Sequence, residues 1–133
     1  MKKLLLLFTL SCICFFSNAQ TALQHVPPNM GSFYISKTTG TLEEHINVNY
    51  ALYPAPFVNV VKMNLNTPHN MMLSVKIINS NGTQMTAWKP AQASYRYDKE
   101  FDISSYPTGQ YKIDIYGPDN TKVHSVSFEK KAS

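Results

Sequence analysis

Residues 73–88 read LSVKIINSNGTQMTAW, and this stretch decides the fold class of the protein. Leu73, Val75 and Ile77 alternate with polar side chains, which is the period-two pattern of a half-buried strand. Asn81-Gly82 follows, and this dipeptide readily adopts the positive φ angles of a tight hairpin turn. The apolar residues at the end of the stretch then form a returning strand. The stretch therefore predicts a β-hairpin.

The same alternation continues through most of the sequence after residue 46. It recurs in four further segments, namely residues 61–65, 95–103, 111–115 and 126–128. Turn residues separate these segments about every eight to twelve residues, and the apolar stripe of a helix is absent. The change of alternation at Val60-Val61 predicts a bulge or bend. This spacing predicts an all-β fold, a single antiparallel immunoglobulin-like β-sandwich of about seven strands.

The N-terminus predicts export. Lys2 and Lys3 precede an apolar run that ends at Phe16, and a small-residue cleavage site follows at Ser17-Asn18-Ala19. We interpret residues 1–19 as a secretory signal peptide. The apolar run is shorter than the ~20 residues of a membrane-spanning helix, so we expect no transmembrane helix in the mature protein.

The mature protein is predicted to have two parts. Residues 20–45 are interpreted as a lead-in segment because turn residues dominate them. The short run Phe33-Tyr34-Ile35 inside this segment is either a first strand or an arm packed on the domain. Residues 46–133 are interpreted as the immunoglobulin-like β-sandwich domain.

The two cysteines bear on localisation. Cys12 and Cys14 both lie in the predicted signal peptide, so the mature protein has no disulfide and depends on packing alone. A lipoprotein would carry one of them as its acylated first residue. Thr9 and Ser11 stand where such sites usually have Leu, three residues before the cysteine. We therefore expect a protein that is secreted or on the cell surface via the periplasm, rather than lipid-anchored.

Composition and motifs exclude several classes of function. Removing Lys2 and Lys3 with the signal peptide leaves ten basic and eight acidic residues, a net charge of +2. Basic residues are scattered apart from Lys130-Lys131, which excludes an electrostatic footprint for nucleic acid. The sequence has no glycine-rich phosphate loop, no Gly-x-Ser-x-Gly elbow and no His-Glu-x-x-His motif. We expect no enzyme and no cofactor.

Two groups of side chains are candidates for ligand binding. Asp98, Glu100 and Asp102 share one face of a strand, and we interpret them as a solvated face rather than as a calcium site, so we expect no metal. Trp88 either caps an edge of the sandwich or forms, with Tyr95 and Tyr97, a ligand platform on which sugars stack.

A third pattern predicts a structural feature. Gly109 and Tyr111 follow a Tyr-Pro-Thr sequence, and this spacing fits a tyrosine corner. We expect the Tyr111 hydroxyl to bond to the backbone of the preceding connection, residues 102–108.

Four segments together resemble the C-terminal sorting domains of type IX secretion. Tyr53-Pro54-Ala55-Pro56 resembles their Tyr-Pro-Asn-Pro opening, with Ala55 in place of Asn, and Asn81-Gly82 resembles the turn that ends a following strand. Residues 101–111 resemble their segment of aspartate, an apolar residue, Ser and then Gly-x-Tyr. Residues 126–131 resemble their closing strand with its basic end. The resemblance spans residues 52–131.

The resemblance implies export and a protein partner at the cell envelope or in the secretion machinery, not catalysis. Only a short segment precedes residue 52, so the protein is also similar to small, free-standing secreted immunoglobulin-like domains of bacteria. The resulting hypothesis is a non-enzymatic secreted β-sandwich acting as a sorting-type or protein-interaction module at the bacterial cell envelope. The alternative is a small glycan-binding module that uses exposed aromatic side chains.

Overall fold

Two antiparallel sheets form the molecule in a computed structural model that describes residues 29–133. The predicted signal peptide and the start of the lead-in segment lie outside these residues. Sheet A has the order β1-β2-β3-β6, and sheet B has the order β5-β4-β7-β8. The strands are β1 (Met30–Thr39), β2 (Leu42–Tyr53), β3 (Val60–Met71), β4 (Ser74–Asn79), β5 (Gln84–Trp88), β6 (Ser94–Asp102), β7 (Gly109–Tyr116) and β8 (Lys122–Lys130).

The predicted all-β, immunoglobulin-like sandwich is confirmed, with eight strands in the described part of the protein rather than about seven. The hairpin predicted from residues 73–88 is β4 and β5, and its turn is at Asn79–Thr83. No helix within residues 29–133 is long and apolar enough to cross a membrane.

The core lies between the sheets because each strand buries alternate side chains. Val75 of β4 and Ile113 of the neighbouring β7 are both buried, and the charged Lys112 beside Ile113 is exposed. The largest fully buried side chains are Met63, Leu65, Leu73, Ile77, Ile103, Ile113, Ile115, Val48, Val61 and Val75.

The strands begin before residue 46, where the sequence pattern begins. β1 pairs with β2 along its whole length through a turn at Gly40-Thr41, where Gly40 has a φ of +64°. Phe33 and Ile35 are buried in the core, so their run is a first strand of the sandwich and not an arm. Most other β1 side chains are exposed and polar, which hides the strand from a search for apolar alternation.

The middle of sheet A is irregular. β3 begins at Val60 directly after the bent residues Val58 and Asn59, so the change of alternation marks the entry into the strand. The register shift of β3 lies later, between Asn66 and Met71. β2 pairs with β3 only from Asn49 onward, and its first half pairs with β1 alone.

Candidate functional site at the C-terminal end of the sandwich

Four segments meet at the end of the sandwich where the polypeptide finishes. They are residues 53–59, 79–83, 103–109 and 130–133, and together they are named the C-terminal end surface. A parallel bridge joins Phe57 to Lys130, and Asn79 pairs with Tyr111. The Ile103 N–H donates to the Asn59 carbonyl at 2.9 Å. These contacts place both sheets' connections at one end of the molecule.

The Tyr-Pro-Ala-Pro motif forms the loop after β2. Tyr53, Pro54 and Pro56 are exposed, and the peptide bonds preceding both prolines are cis. Phe57, the next residue, is buried and packs edge-on against Phe128 of β8, with ring centroids 5.5 Å apart. Phe57 thus anchors the motif to the core. The sequence reasoning did not single it out, although it directly follows the second proline.

The tyrosine corner lies beside this anchor. The Tyr111 hydroxyl donates to the Pro107 carbonyl at 2.6 Å, within the connection where the sequence predicts its partner. The Tyr111 ring stacks on Phe128 at 5.6 Å and contacts Tyr106 at 5.4 Å. Burial raises the pKa of the Tyr106 hydroxyl. Gly109 has a φ of +146°, a conformation that side-chain-bearing residues rarely adopt. Aromatic packing and one partly buried hydrogen bond therefore fix this connection.

The Asn81-Gly82 turn is held by a local hydrogen-bond pattern. The Asn79 side-chain oxygen accepts from the N–H groups of Asn81 at 3.0 Å and of Thr83 at 2.8 Å. Gly82 has a φ of +83°, which glycine adopts without steric cost. The pairing of Asn79 with Tyr111 places this turn next to the tyrosine corner.

The last residues complete the surface. The Lys131 N–H donates to the Phe57 carbonyl at 2.8 Å, so the C-terminus is tied to the proline loop. Lys130 is buried, and its ammonium donates to the Lys131 carbonyl at 3.1 Å. The exposed Lys131 ammonium lies 3.1 Å from the Glu129 carboxylate.

Within the described residues no group of three or more His, Cys, Asp or Glu is placed to hold a metal ion. The C-terminal end surface is a fixed, partly apolar surface suited to binding another molecule.

The three aromatic residues of the candidate ligand platform do not share one exposed face. Tyr97 is only 5% exposed, and its hydroxyl donates to the Met71 carbonyl at 2.5 Å. Trp88 packs edge-on against Tyr97 with centroids 5.8 Å apart, so its ring covers Tyr97 at the side of the sandwich between β5 and β6. Tyr95 remains exposed. Tyr97 is buried because its side chain points inward from β6, opposite the buried Leu65 of β3.

The acidic residues of β6 lie on the outer face of sheet A. Asp98 accepts from Arg96 at 2.9 Å and from Asn64 at 2.6 Å, and these hydrogen bonds hold the pKa of the Asp98 carboxyl below its usual range. Asp102 accepts from the Ser104 hydroxyl at 2.6 Å, which lowers its pKa as well. Asp98 and Asp102 are both exposed, and each carboxylate accepts hydrogen bonds from neighbouring side chains.

A groove of about 860 Å³ lies at the opposite end of the sandwich. The hairpin of β1 and β2, the end of β3 and the β7–β8 turn surround it. The imidazole of His69 lies 3.1 Å from the Glu44 carboxylate at its rim. None of the four segments of the C-terminal end surface lines this groove.

Comparison with known proteins gives the following matches. A family model described as "Secretion system C-terminal sorting domain" matches residues 51–129. The protein is also similar to a crystal structure of a DUF3244 family protein with an immunoglobulin-like β-sandwich fold from Bacteroides vulgatus. That match has 14% identity and a TM-score of 0.45, and it spans 62% of this protein and 83% of the other. No curated protein matches this sequence.

Proposed function

Since this chain belongs to the family of secretion system C-terminal sorting domains, we propose that its C-terminal end surface is read by the secretion machinery of the cell envelope. The protein is a secretion-related β-sandwich module of a non-catalytic kind of family. Within that family, it acts as a sorting-type module of type IX secretion. The protein reaches the cell surface or the medium by way of the periplasm.

One observation carries the proposal. The four sequence segments that resemble sorting domains are far apart in the sequence, yet parts of all four contribute to the C-terminal end surface. A specific contact fixes each of the four, and for the closing segment it is the Lys131 N–H, which donates to the Phe57 carbonyl. Phe57 anchors the proline loop, the Asn79 side-chain oxygen closes the Asn81-Gly82 turn, and the Tyr111 hydroxyl holds the third connection.

The surface suits recognition by another protein. Pro54 and Pro56 have restricted φ angles, so the loop loses little conformational entropy when a partner covers it. Tyr53 is exposed next to them and offers an aromatic contact with a polar hydroxyl. Lys131 adds a cation whose carboxylate neighbour is partly exposed, so solvent weakens that pair and leaves the charge free to bind elsewhere.

A reporter fusion tests the proposal. A signal peptide and a fluorescent or enzymatic reporter are placed before residues 29–133 and expressed in a bacterium with type IX machinery. We expect the reporter at the surface or in the medium, as measured by fractionation and by protease accessibility of intact cells. Tyr53→Ala with Lys131→Ala should retain most of the fusion in the periplasm, because the exposed aromatic ring and the exposed cation of the surface are both lost.

The matched control is Tyr95→Ala with Lys37→Ala, which removes one exposed tyrosine and one exposed lysine elsewhere. This variant should be exported like the unchanged fusion. All three fusions must show the same thermal unfolding, so that a folding defect is not mistaken for a sorting defect. A folded, unchanged fusion that stays in the periplasm would rule out sorting, and equal export of both variants would rule out this surface.

A further inference from the structure

The outer edge of β1 is a long strand edge without a partner in the described residues. β1 is the terminal strand of sheet A, and within residues 29–133 no strand pairs with its outer side. It is ten residues long, contains no proline and carries Lys37 as its one charged side chain. Proteins usually protect an edge by shortness, charge or proline, because unpaired backbone groups attract another strand.

The other edge strands have the protection that β1 lacks. β5 is only five residues long. β8 carries Lys122 at one end and Glu129 with Lys130 at the other. β6 is nine residues long and is the most highly charged, with Arg96, Asp98, Lys99, Glu100 and Asp102. The edge of β1 is therefore the one most open to strand pairing.

The hairpin geometry shows which groups of β1 point outward. Thr39 and Leu42 flank the two-residue turn and form a hydrogen-bonded pair, so the odd-numbered residues of β1 bond to β2. The even-numbered residues, from Met30 to Thr38, direct their N–H and C=O groups away from β2. Their side chains lie on the exposed face of sheet A, where Tyr34 is 65% exposed.

We propose that β1 pairs antiparallel with β1 of a second copy of this protein, about a two-fold axis at Tyr34. Tyr34 then faces Tyr34 as an aromatic pair, and Ser32 faces Ser36. Each even-numbered residue of one β1, whose N–H and C=O groups point outward, lies opposite an even-numbered residue of the other copy. The backbone groups at the edge therefore form a hydrogen-bond ladder that is satisfied in both copies. Sheet A becomes one continuous sheet across the dimer.

Charge and packing favour a second copy as the occupant. In this register Lys37 lies opposite Gly31, so the one cation of the strand never meets its own image. The inward side chains Phe33 and Ile35 become cross-strand neighbours at the dimer boundary and extend the apolar layer below the sheet. β1 precedes residues 51–129, which match the sorting-domain family, so the proposal does not rest on the sorting function.

Cysteine cross-linking of the mature protein, residues 20–133, tests the register. Residues 20–133 include no cysteine, so each variant introduces a single thiol. Cα atoms of a hydrogen-bonded antiparallel pair lie about 5.5 Å apart, within the range of a disulfide. Oxidised Tyr34→Cys should therefore give a covalent dimer. Ser32→Cys alone and Ser36→Cys alone should give little, and a mixture of the two, distinguished by a tag, should give the crossed dimer.

Sedimentation measures the association itself. The mature protein should show a concentration-dependent dimer, and Tyr34→Lys should raise its dissociation constant several-fold because two ammonium groups meet at the axis. Tyr95→Lys is the matched control, an exposed tyrosine on β6, and should leave the constant unchanged. A mature protein that stays monomeric at its highest soluble concentration overturns the proposal. Equal cross-linking of the three single-cysteine variants also overturns it, provided that each variant unfolds at the same temperature as the wild type.

Discussion

At the scale of single residues, the hydroxyl of Tyr111 ties the β6–β7 connection to the core. Its hydrogen bond to the Pro107 carbonyl spans 2.6 Å and is partly buried. We expect Tyr111→Phe to lower the free energy of unfolding by about 1 kcal/mol, because the ring keeps its packing and only the hydrogen bond is lost. Urea denaturation measures the change. Tyr95→Phe, at an exposed site, should cost far less, and equal costs would contradict a structural role for the corner.

A second residue-scale prediction concerns the strand register of β7. Ile113 is fully buried between the sheets, and Lys112 next to it is exposed. Ile113→Ala should cost about 2–5 kcal/mol, because it removes buried methyl groups and leaves a cavity. Lys112→Ala should cost less than about 0.5 kcal/mol. Denaturant titrations measure the free energy of unfolding of both variants. Similar losses of this free energy would mean that the two side chains do not alternate between core and solvent.

At the scale of elements, the contact between the edges of the two sheets depends on a histidine. The ring of His124 in β8 stacks on Phe33 of β1 with centroids 4.6 Å apart, and Tyr50 of β2 lies 5.2 Å away. Partial burial among these rings lowers the pKa of the His124 imidazole. The neutral ring is therefore the form that holds β1 against β8.

This lowered pKa gives a pH dependence of stability. The unfolded protein takes up the proton more readily than the folded one, so the full contribution is present above pH ~6.5 and is lost as the pH falls through the folded pKa. We expect a lower free energy of unfolding in urea at about pH 5 than at about pH 7.5. His124→Phe keeps an aromatic ring without a titrating group and should reduce this drop, whereas His69→Gln, at an exposed site, should not. If the free energy of unfolding of His124→Phe falls as much between these two pH values as that of the wild type, His124 is not the cause of the pH dependence.

At the scale of the whole molecule, strict alternation explains which strands were predictable. β4 and β7 are clear in the sequence because each presents one apolar and one polar face. β1 and the first half of β2 are not, since exposed polar residues surround the few buried ones, such as Phe33 and Ile46. Local pattern identifies a strand only when enough of its length is half-buried.

The sequence does not predict that the segments of the candidate site lie together, for a different reason. Each segment carries a local signal, such as the Asn81-Gly82 turn or the spacing of Gly109 and Tyr111. Their meeting at one end depends on pairings between distant strands, such as β3 with β6 and β4 with β7. Tyr97 is the opposite case, because it alternates in step with Phe101 and Ile103 in the sequence and all three side chains are buried.

The first two strands give a prediction about the folding unit. A polypeptide of residues 46–133 follows the boundary drawn from the sequence, and one of residues 29–133 includes the whole of β1 and β2. Only the longer polypeptide keeps Phe33 and Ile35, and burial of each such side chain contributes about 1.5–3 kcal/mol. Together with the loss of the β1–β2 hydrogen bonds, this approaches the about 5–15 kcal/mol that stabilises a typical domain. We therefore expect a cooperative thermal transition for residues 29–133 and none for residues 46–133, measured by near-ultraviolet circular dichroism. A cooperative transition in the shorter polypeptide would mean that β1 is an accessory of the sandwich and not a part of its folding unit.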